Sequence, residues 1–317
     1  MKTRNKLLTL LILSSSAAAG IAMINKGIKI SALSKHLLED SSQSQCYKWR
    51  FGNIHYTKSG SGKPLLLVHD FDYPASSYEW HRMISSLSEE YTVYTIDLLG
   101  CGRSEKPNLT YTNYLYVELL CDFIKSEIGH RTDIIATGES ASFAIMACNH
   151  SPELFNRIML INPGSLLSYA QVPNKNAKLY KFILDTPIIG TLLYHMASSR
   201  GVIEEIFKNK YFHNPYSVRS AYMDYYFESA HKGSYPKAMF SSLKCNYTKC
   251  NIANALKKID NSIYLLGSQE IDGMEESLKE YQQYNSAIEY SLISKAKLLP
   301  QLECPDKVMN VIRIFFT

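Results

Sequence analysis

The sequence predicts an α/β protein built on a mostly parallel sheet with helices on both faces. Short, continuous apolar runs alternate with longer amphipathic segments, the pattern of strands joined by helical crossovers. The apolar runs lack the alternation of polar and apolar residues that marks a sheet with one wetted face, so helices should cover both faces. A long segment without such runs interrupts the pattern before it resumes near the C-terminus.

The elements follow in a regular order from Cys46. Alternating aromatic residues at Tyr47, Trp49 and Phe51, and then the stretch IHYTKSGSG, predict a hairpin with a glycine-rich turn. Buried strands are predicted at four apolar runs, and helices where apolar residues recur at helical spacing between them. In chain order these segments are PLLLVHD, SSYEWHRMISSLSEE, YTVYTIDLLG, YTNYLYVELLCDFIKSEIG, TDIIATG, ASFAIMACNH and RIMLINP.

The alternation stops after Pro163. The stretch 166–250 is rich in tyrosine and broken by prolines and glycines, which predicts helices and no buried strand. SIYLLG resumes the sheet and is followed by a helix, the strand AIEYSLI and a last helix over PDKVMNVIRIFF. The predicted organisation is an N-terminal segment (1–44), a first core part (45–164), a helical cap (165–252) and a second core part (253–317).

Composition and charge exclude several classes of function. With 46% hydrophobic and 20% charged residues among 317, the chain is predicted to be globular. The formal charge of +5 is mild and the basic residues are scattered, so nucleic-acid binding is not indicated. The seven cysteines form no CxxC pair and have no histidine at zinc spacing, so we expect no metal site, no disulfide framework and no cofactor.

The N-terminus predicts a single membrane anchor. Basic residues in MKTRNK precede an uncharged run, and a helix over 7–24 would be about 27 Å long, close to the hydrocarbon thickness of a bilayer. The alternative is a signal peptide cleaved near the alanines at 17–19, which would give a secreted protein. Basic residues flank the run on both sides, so its orientation in the membrane stays open.

The segment Thr137-Gly138-Glu139-Ser140-Ala141-Ser142 begins at the end of the run TDIIATG and leads into a helix. It is close to the G-x-S-x-G nucleophile elbow, in which a serine stands on a strained strand-to-helix turn with its hydroxyl clear of the backbone. Ser142 replaces the second glycine. The alternative interpretation is that Ser140 only caps the helix that follows it.

Several segments, in order and at familiar separations, resemble the α/β-hydrolase superfamily from about Ile54 to the end of the chain. They are HDFDYPASSYEWHRMI, YTVYTIDLLGCGRSEKP, GESAS, the cap-sized insertion and IYLLGSQE, and DLLGCGRSEKP is the most specific piece. The resemblance implies an α/β-hydrolase fold with a helical cap. It also implies serine esterase chemistry on a small apolar ester-like or acyl ligand.

The resemblance assigns roles to individual residues. Ser140 takes the nucleophile position, and the backbone amides of Ala141 and Phe71 would form the oxyanion hole. Glu270, with Asp272 as its neighbour, takes the position of the triad acid that orients a histidine.

Two further positions depart from the family pattern. Leu298 in ISKAKLLPQLECP stands where the family has its histidine base, and no histidine follows His231. Asp70 stands where the family usually has glycine, and a carboxylate near a developing oxyanion raises the barrier to reaction. A serine hydroxyl without a proton acceptor is a poor nucleophile. The sequence therefore predicts a catalytically impaired member acting as a binding module, and the alternative is an active serine hydrolase with a different base.

A replacement base would have to come from elsewhere in the chain. A lysine could serve after desolvation lowers its pKa, and a histidine of the cap could reach over the elbow. The candidates are His195, His213, His231, Lys295 and Lys297. Solvated or structural roles are the simpler interpretation for all of them.

Overall fold

The computed structural model describes residues 2–39 and 43–316, with side chains from Ser16 onward. It contains an eight-stranded sheet in the order β1-β2-β4-β3-β5-β6-β7-β8. The strands are β1 (Ser44–Trp49), β2 (Gly52–Ser59), β3 (Lys63–Val68), β4 (Tyr91–Ile96), β5 (Thr132–Thr137), β6 (Phe155–Ile161), β7 (Ile263–Ser268) and β8 (Glu289–Ile293). β2 pairs antiparallel with β1 and β4, and the other described pairs are parallel. The predicted fold class is confirmed.

Helices alternate with the strands and fill the segment between β6 and β7. The described α-helices are α1 (Lys2–Leu33), α2 (Ile84–Leu87), α3 (Asn113–Phe123), α4 (Ser140–His150), α5 (Leu166–Tyr169), α6 (Ala177–Asp185), α7 (Ile189–Ala197), α8 (Arg200–Ile206), α9 (Ser220–His231), α10 (Pro236–Lys244), α11 (Ala253–Leu256), α12 (Met274–Tyr284), α13 (Pro300–Glu303) and α14 (Pro305–Phe316). Helices α5 to α10 make up the cap, whose predicted domain boundaries stay a prediction.

One predicted helix is much shorter in the structure. The segment SSYEWHRMISSLSEE forms a 3₁₀ turn over Ser77–Trp80 and the single turn of α2. Its apolar spacing reflects burial of Trp80 and Met83 under the sheet rather than one face of a regular helix. This irregular segment carries a buried acidic residue of the candidate site.

The central strands of the sheet, such as β3 and β5, are buried on both faces, as the continuous apolar runs predict. Successive residues of β3 enter different clusters, since Leu66 and Val68 pack with α3 and α4 while Leu65 and Leu67 pack with α14. This alternation is the period of a strand, and it places helices on either side of the sheet. Burial of each such side chain contributes about 1.5–3 kcal/mol, so both helical layers fix the sheet.

An aromatic cluster holds the cap against the C-terminal part of the core. Phe207, Tyr222 and Tyr226 of the cap pack together with Leu299 and Leu302, which lie just after β8. The rings of Phe207 and Tyr226 meet edge-on, with centroids 4.7 Å apart. The cluster places the cap next to the loop that carries Leu298.

The N-terminal segment is helical, but the membrane anchor predicted over 7–24 is not confirmed. Within the described part of the chain, no helix combines the length and the apolar character needed to cross a membrane. The side chains of 7–15 lie outside the described residues. The end of α1 packs on α7 and α9, where Asn25 Nδ2 donates to Ile188 O at 3.4 Å and Lys29 Nζ to Gly233 O at 2.9 Å.

Candidate active site

The strand-to-helix bend after β5 lies at Gly138 and not at Ser140. Gly138 has a φ of +53°, in the left-handed region, whereas Glu139 has φ −66° and ψ −28° and Ser140 is the first residue of α4. The Gly138 amide donates to Ile161 O at 3.0 Å and so ties the bend to β6. A nucleophile elbow places its reactive side chain at such a strained bend. In this chain the residue at the bend is a glycine.

Ser140 is fully buried, and its hydroxyl donates to the carbonyl of His69 at 2.6 Å. No imidazole or amine of the described residues hydrogen-bonds to Ser140 Oγ. A hydroxyl bonded to a backbone carbonyl, with no proton acceptor beside it, is not activated for attack. The geometry argues against the predicted role of Ser140, which instead joins the start of α4 to the loop after β3.

The carboxyl group of Asp70 occupies the space in front of the bend. A Cβ atom placed on Gly138 would lie 2.1 Å from Asp70 Oδ1. The Glu139 amide donates to Oδ1 at 2.9 Å, and the Phe71 amide donates to the same carboxyl. An amide after the bend and an amide in the loop after β3 are the pair that forms an oxyanion hole at this kind of elbow.

The two predicted oxyanion-hole donors bind different acceptors. Phe71 contributes its amide, but to a carboxyl group of the protein itself. The Ala141 amide donates to Gly138 O at 3.3 Å, within the turn, and it is the Glu139 amide that donates to Asp70 Oδ1. This shift by two residues matches the shift of the bend from Ser140 to Gly138.

Glu79 is a buried carboxyl group of the site that the sequence interpretation missed. Its Oε2 accepts from the Asp70 amide at 3.0 Å, and its Oε1 accepts from the Tyr226 hydroxyl at 2.7 Å. Thr137 Oγ1 at 3.4 Å and Gln301 Nε2 at 3.3 Å also donate to Oε2. Glu79 thus links β5, the loop after β3, the cap and α13. The signal in the sequence is an acidic residue between two aromatic residues in SYEW.

Burial shifts the protonation of both carboxyl groups. It raises the pKa of Glu79 to about 8 and that of Asp70 to about 7, because the charged forms lose their hydration. Neighbouring acidic groups add to these shifts. Asp70 raises the pKa of Glu79, and Glu139 raises the pKa of Asp70. At neutral pH Glu79 is therefore mostly neutral.

The structure brings Glu270 to the loop that carries Leu298. Glu270 Oε1 accepts from the backbone amide of Lys295 at 2.8 Å, while Asp272 is exposed. Asn162 Nδ2 donates to the carbonyl of Leu298 at 3.2 Å and to that of Lys297 at 2.9 Å, which fixes the loop. The Glu270 carboxylate, predicted as the triad acid, thus binds a backbone amide of this loop.

The candidate replacement bases do not hydrogen-bond to Ser140 Oγ and have other partners or are exposed. His195 and His231 stack on each other within the cap, with ring centroids 4.9 Å apart. Lys297 Nζ donates to Asn209 O at 2.8 Å, and the His213 amide donates to Glu303 Oε2 at 2.9 Å. The side chain of Lys295 is exposed.

His69, next to Asp70, has a structural role. Its Nδ1 bonds to Asp70 O at 2.6 Å, and its Nε2 accepts from the Leu98 amide at 3.0 Å. Burial lowers the pKa of the imidazole, so the ring is neutral and holds two loops together.

A cleft of about 350 Å³ opens beside the Asp70 carboxyl group. Asp72, Glu139 and Lys244 also line it, and Lys249 Nζ pairs with the Glu139 carboxylate at 2.8 Å. A more apolar cavity of about 410 Å³, lined by residues of α6, α7 and α10, shares Lys244 and Asn246 with this cleft. The cavities together offer an apolar chamber next to a polar one.

The sequence is similar to known proteins of one family. A family model described as "Alpha/beta hydrolase family" matches residues 65–289. A soluble epoxide hydrolase of Corynebacterium sp. (strain C12) is 50% identical over 114 residues, 35% of this chain and 39% of that protein. A 2-hydroxy-6-oxo-6-(2'-aminophenyl)hexa-2,4-dienoic acid hydrolase of Metapseudomonas resinovorans is 28% identical over 152 residues, 46% and 49% of the two chains. The chain spans less than half the length of these curated relatives.

Solved structures match over more of the chain. An epoxide hydrolase without ligand superposes with a TM-score of 0.70 at 20% identity, covering 86% of this chain and 98% of that one. A membrane phospholipase A, described as a bacterial virulence factor, superposes with a TM-score of 0.68 at 19% identity, covering 99% and 98%. At these identities the likeness concerns the fold.

Proposed function

The chain belongs to the α/β-hydrolase family, and we propose that it is a catalytically impaired member that acts as a binding module. The proposal rests on one observation above all: the Asp70 carboxyl group accepts the Glu139 amide at 2.9 Å, in the place where a substrate oxyanion would bind. A carboxylate in that place repels a developing negative charge and takes up the donors that would stabilise it.

Two other positions support the same conclusion. We assign the nucleophile position to Gly138, in place of the predicted Ser140, because Gly138 has the left-handed backbone of the bend. Leu298 takes the position of the base, in a loop that Glu270 approaches through the Lys295 amide. Removing a triad leaves about 10³- to 10⁴-fold catalysis over water, supplied by the oxyanion hole and by binding. With Asp70 in the hole, we expect that remainder to be lost as well.

The proposed ligand is a small acyl or ester-like compound. Its apolar part fits the chamber lined by Tyr180, Ile183 and Leu193, and its polar end would face Lys244, which lines both cavities. An apolar pocket with a few polar groups at one end is the usual form of such a site. The names of the relatives, which include an epoxide hydrolase and a hydrolase of a substituted hexadienoic acid, are consistent with small organic ligands.

We also propose that residues 7–24 anchor the chain in a membrane. The uncharged run and the similarity of the whole chain, including α1, to a membrane phospholipase A support this location. Extraction of cell membranes with alkaline carbonate should leave the full chain in the pellet and release a chain without residues 1–24. Mass spectrometry of the N-terminus separates an intact anchor from a cleaved signal peptide, and the cleaved form in the soluble fraction would contradict the proposal.

Stepwise restoration of the site tests the loss of catalysis. The protein should hydrolyse p-nitrophenyl butyrate no faster than its Ser140→Ala variant, and neither should react with a fluorophosphonate probe. The triple variant Asp70→Gly, Gly138→Ser, Leu298→His should gain labelling and at least ~10³-fold in hydrolysis, because it regains nucleophile, base and an empty oxyanion hole. Leu298→His alone should gain nothing. Robust ester turnover by the unmodified protein that Ser140→Ala abolishes would refute the proposal.

A further inference from the structure

A cavity of about 500 Å³ lies between α1 and the cap, away from the cleft at Asp70. Asn25, Lys26 and Lys29 of α1 form one wall. The cap forms the other with residues of α7, the end of α9 and the start of α10, among them His195 and Lys237. This cavity shares no lining residue with the two cavities near the candidate active site.

The ammonium groups that line the cavity bind carbonyls rather than carboxylates. Lys29 Nζ donates to Gly233 O at 2.9 Å, and Lys237 Nζ donates to the carbonyls of Asp185 at 2.9 Å and Thr186 at 2.5 Å. The Lys26 side chain is exposed, and its ammonium group has no hydrogen-bond partner within the described part of the chain. The lining is therefore rich in positive charge that no carboxylate contacts directly.

The acidic residue of the lining, Asp185, offsets only part of this charge. The Asp185 carboxylate pairs with Lys181 Nζ at 2.6 Å and accepts from Ser241 Oγ at 2.7 Å. Its charge is thus compensated by a lysine outside the cavity. Lys26, Lys29 and Lys237 remain as three cations facing one space, an arrangement that favours an anion.

Two buried polar atoms of the cavity walls also lack partners within the described residues. They are Asn25 Oδ1 and His195 Nδ1, on side chains that are 8% and 6% exposed. Buried polar groups are normally hydrogen-bonded, and exceptions often mark a site for a ligand or water. Both atoms belong to residues that line the same cavity, on opposite walls.

The remaining surroundings are apolar. Tyr194, Tyr235 and two prolines line the cavity, and the helices that form it continue into exposed apolar side chains. Ile24 precedes Asn25 and is 56% exposed, and Met196 follows His195 and is 61% exposed. A polar, cationic pocket that opens beside uncovered apolar side chains suits a ligand with an ionic head and an apolar chain.

We propose that this cavity binds an anionic amphiphile, an acyl or alkyl chain with a phosphate or carboxylate head. The head lies between Lys26, Lys29 and Lys237, and the chain follows the exposed apolar residues of α1 and α7. This site is separate from the Asp70 cleft, so it does not depend on the proposed loss of catalysis.

Calorimetric titration of the full chain in a maltoside detergent tests the proposal. The probes are octyl phosphate, octyl glucoside as a neutral amphiphile, and inorganic phosphate. Octyl phosphate should bind at least tenfold more tightly than either of the others, because both head and chain contribute. Equal binding of octyl glucoside would show a merely apolar pocket, and equal binding of inorganic phosphate would show a site for free phosphate. Either result, or no binding, would overturn the proposal.

Two charge variants complete the test. Lys29→Gln with Lys237→Gln should weaken octyl phosphate binding roughly 10- to 100-fold, the effect expected for lost charge-assisted hydrogen bonds. Lys175→Gln with Lys178→Gln removes the same charge from exposed cap positions outside the cavity and should leave the affinity unchanged. If the first variant unfolds, Lys26→Gln removes one charge without a structural bond and should still weaken binding. Equal affinity in all variants would refute the site.

Discussion

The cleft at Asp70 and the cavity beside α1 differ in how their polar groups are satisfied. Around Asp70, the protein supplies its own donors: the Asp70 carboxyl group binds the Glu139 amide and Glu79 receives four donors. In the cavity, the ammonium groups of Lys29 and Lys237 hydrogen-bond to carbonyls rather than to carboxylates, and the buried Nδ1 of His195 has no partner among the described residues. The Asp70 and Glu79 carboxyl groups thus have their partners within the protein, whereas the unpartnered groups of the cavity would be stabilised by a ligand that completes them.

The largest predicted effect is a loss of stability caused by a substitution next to Asp70. Gly138→Ser should lower the free energy of unfolding by about 3–5 kcal/mol, since the new Cβ would meet Asp70 Oδ1 at 2.1 Å and the backbone is strained at φ +53°. Gly129→Ser is the matched control, because Gly129 has φ +73° with nothing within 4 Å of the added Cβ. Gly129→Ser should lower the free energy of unfolding by about 1 kcal/mol, because it introduces backbone strain without a clash.

Urea unfolding of both serine variants measures the difference. Adding Asp70→Gly to Gly138→Ser should recover most of the loss, because the carboxyl group is removed. If the two single variants lose equal stability, the Asp70 carboxyl group does not occupy the position in front of the bend.

The second prediction concerns the pH dependence that this site imposes. Burial raises the pKa of Glu79 from 4.5 to about 8, so the folded state holds a proton that the unfolded state releases. The stability contributed by the proton is fully present below pH 4.5, is lost progressively above it, and is gone once the pH has risen through 8. Between pH 5 and pH 8 the loss is on the order of 3 kcal/mol, and Asp70, with a pKa raised to about 7, adds to it in the same direction.

Melting temperatures at several pH values check this prediction. Glu79→Gln should flatten the decline, because an amide has no proton to lose, while Glu153→Gln at an exposed position should leave it unchanged. A melting temperature that is flat or rises from pH 5 to pH 8 would contradict the buried, protonated state of Glu79.

The sequence predicts the sheet well and the site less well, for a physical reason. Continuous apolar runs identify buried strands because burial on both faces is a property of the run itself. The bend after β5, in contrast, depends on where that strand stops, and this is set by pairing of Thr137 with Ile161 of β6. The spacing of the motif alone therefore suggests Ser140, two residues beyond Gly138.

Glu79 shows the same limit. An acidic residue in an amphipathic segment is expected on a solvated helix face, but the segment folds as a 3₁₀ turn and buries the residue completely. The identity of its four donors, from β5, α13, the cap and the next loop, is a property of tertiary packing. By contrast, the proximity of Glu270 and the Leu298 loop follows from the order of β7 and β8 as neighbours in the sheet.

The smallest predicted effect on stability comes from replacing a histidine by phenylalanine in each of the two regions. His69→Phe should cost about 2–3 kcal/mol, because it leaves Asp70 O and the Leu98 amide without their partners at 2.6 and 3.0 Å. His195→Phe should change stability by less than about 0.5 kcal/mol, since its buried Nδ1 has no partner and a phenyl ring keeps the stacking on His231. Urea unfolding at pH 7 compares the two variants directly. A large loss of stability in His195→Phe would mean that the ring nitrogens of His195 have hydrogen-bond partners in the folded protein. The contrast between the Asp70 site and the cavity beside α1 would then not hold for His195.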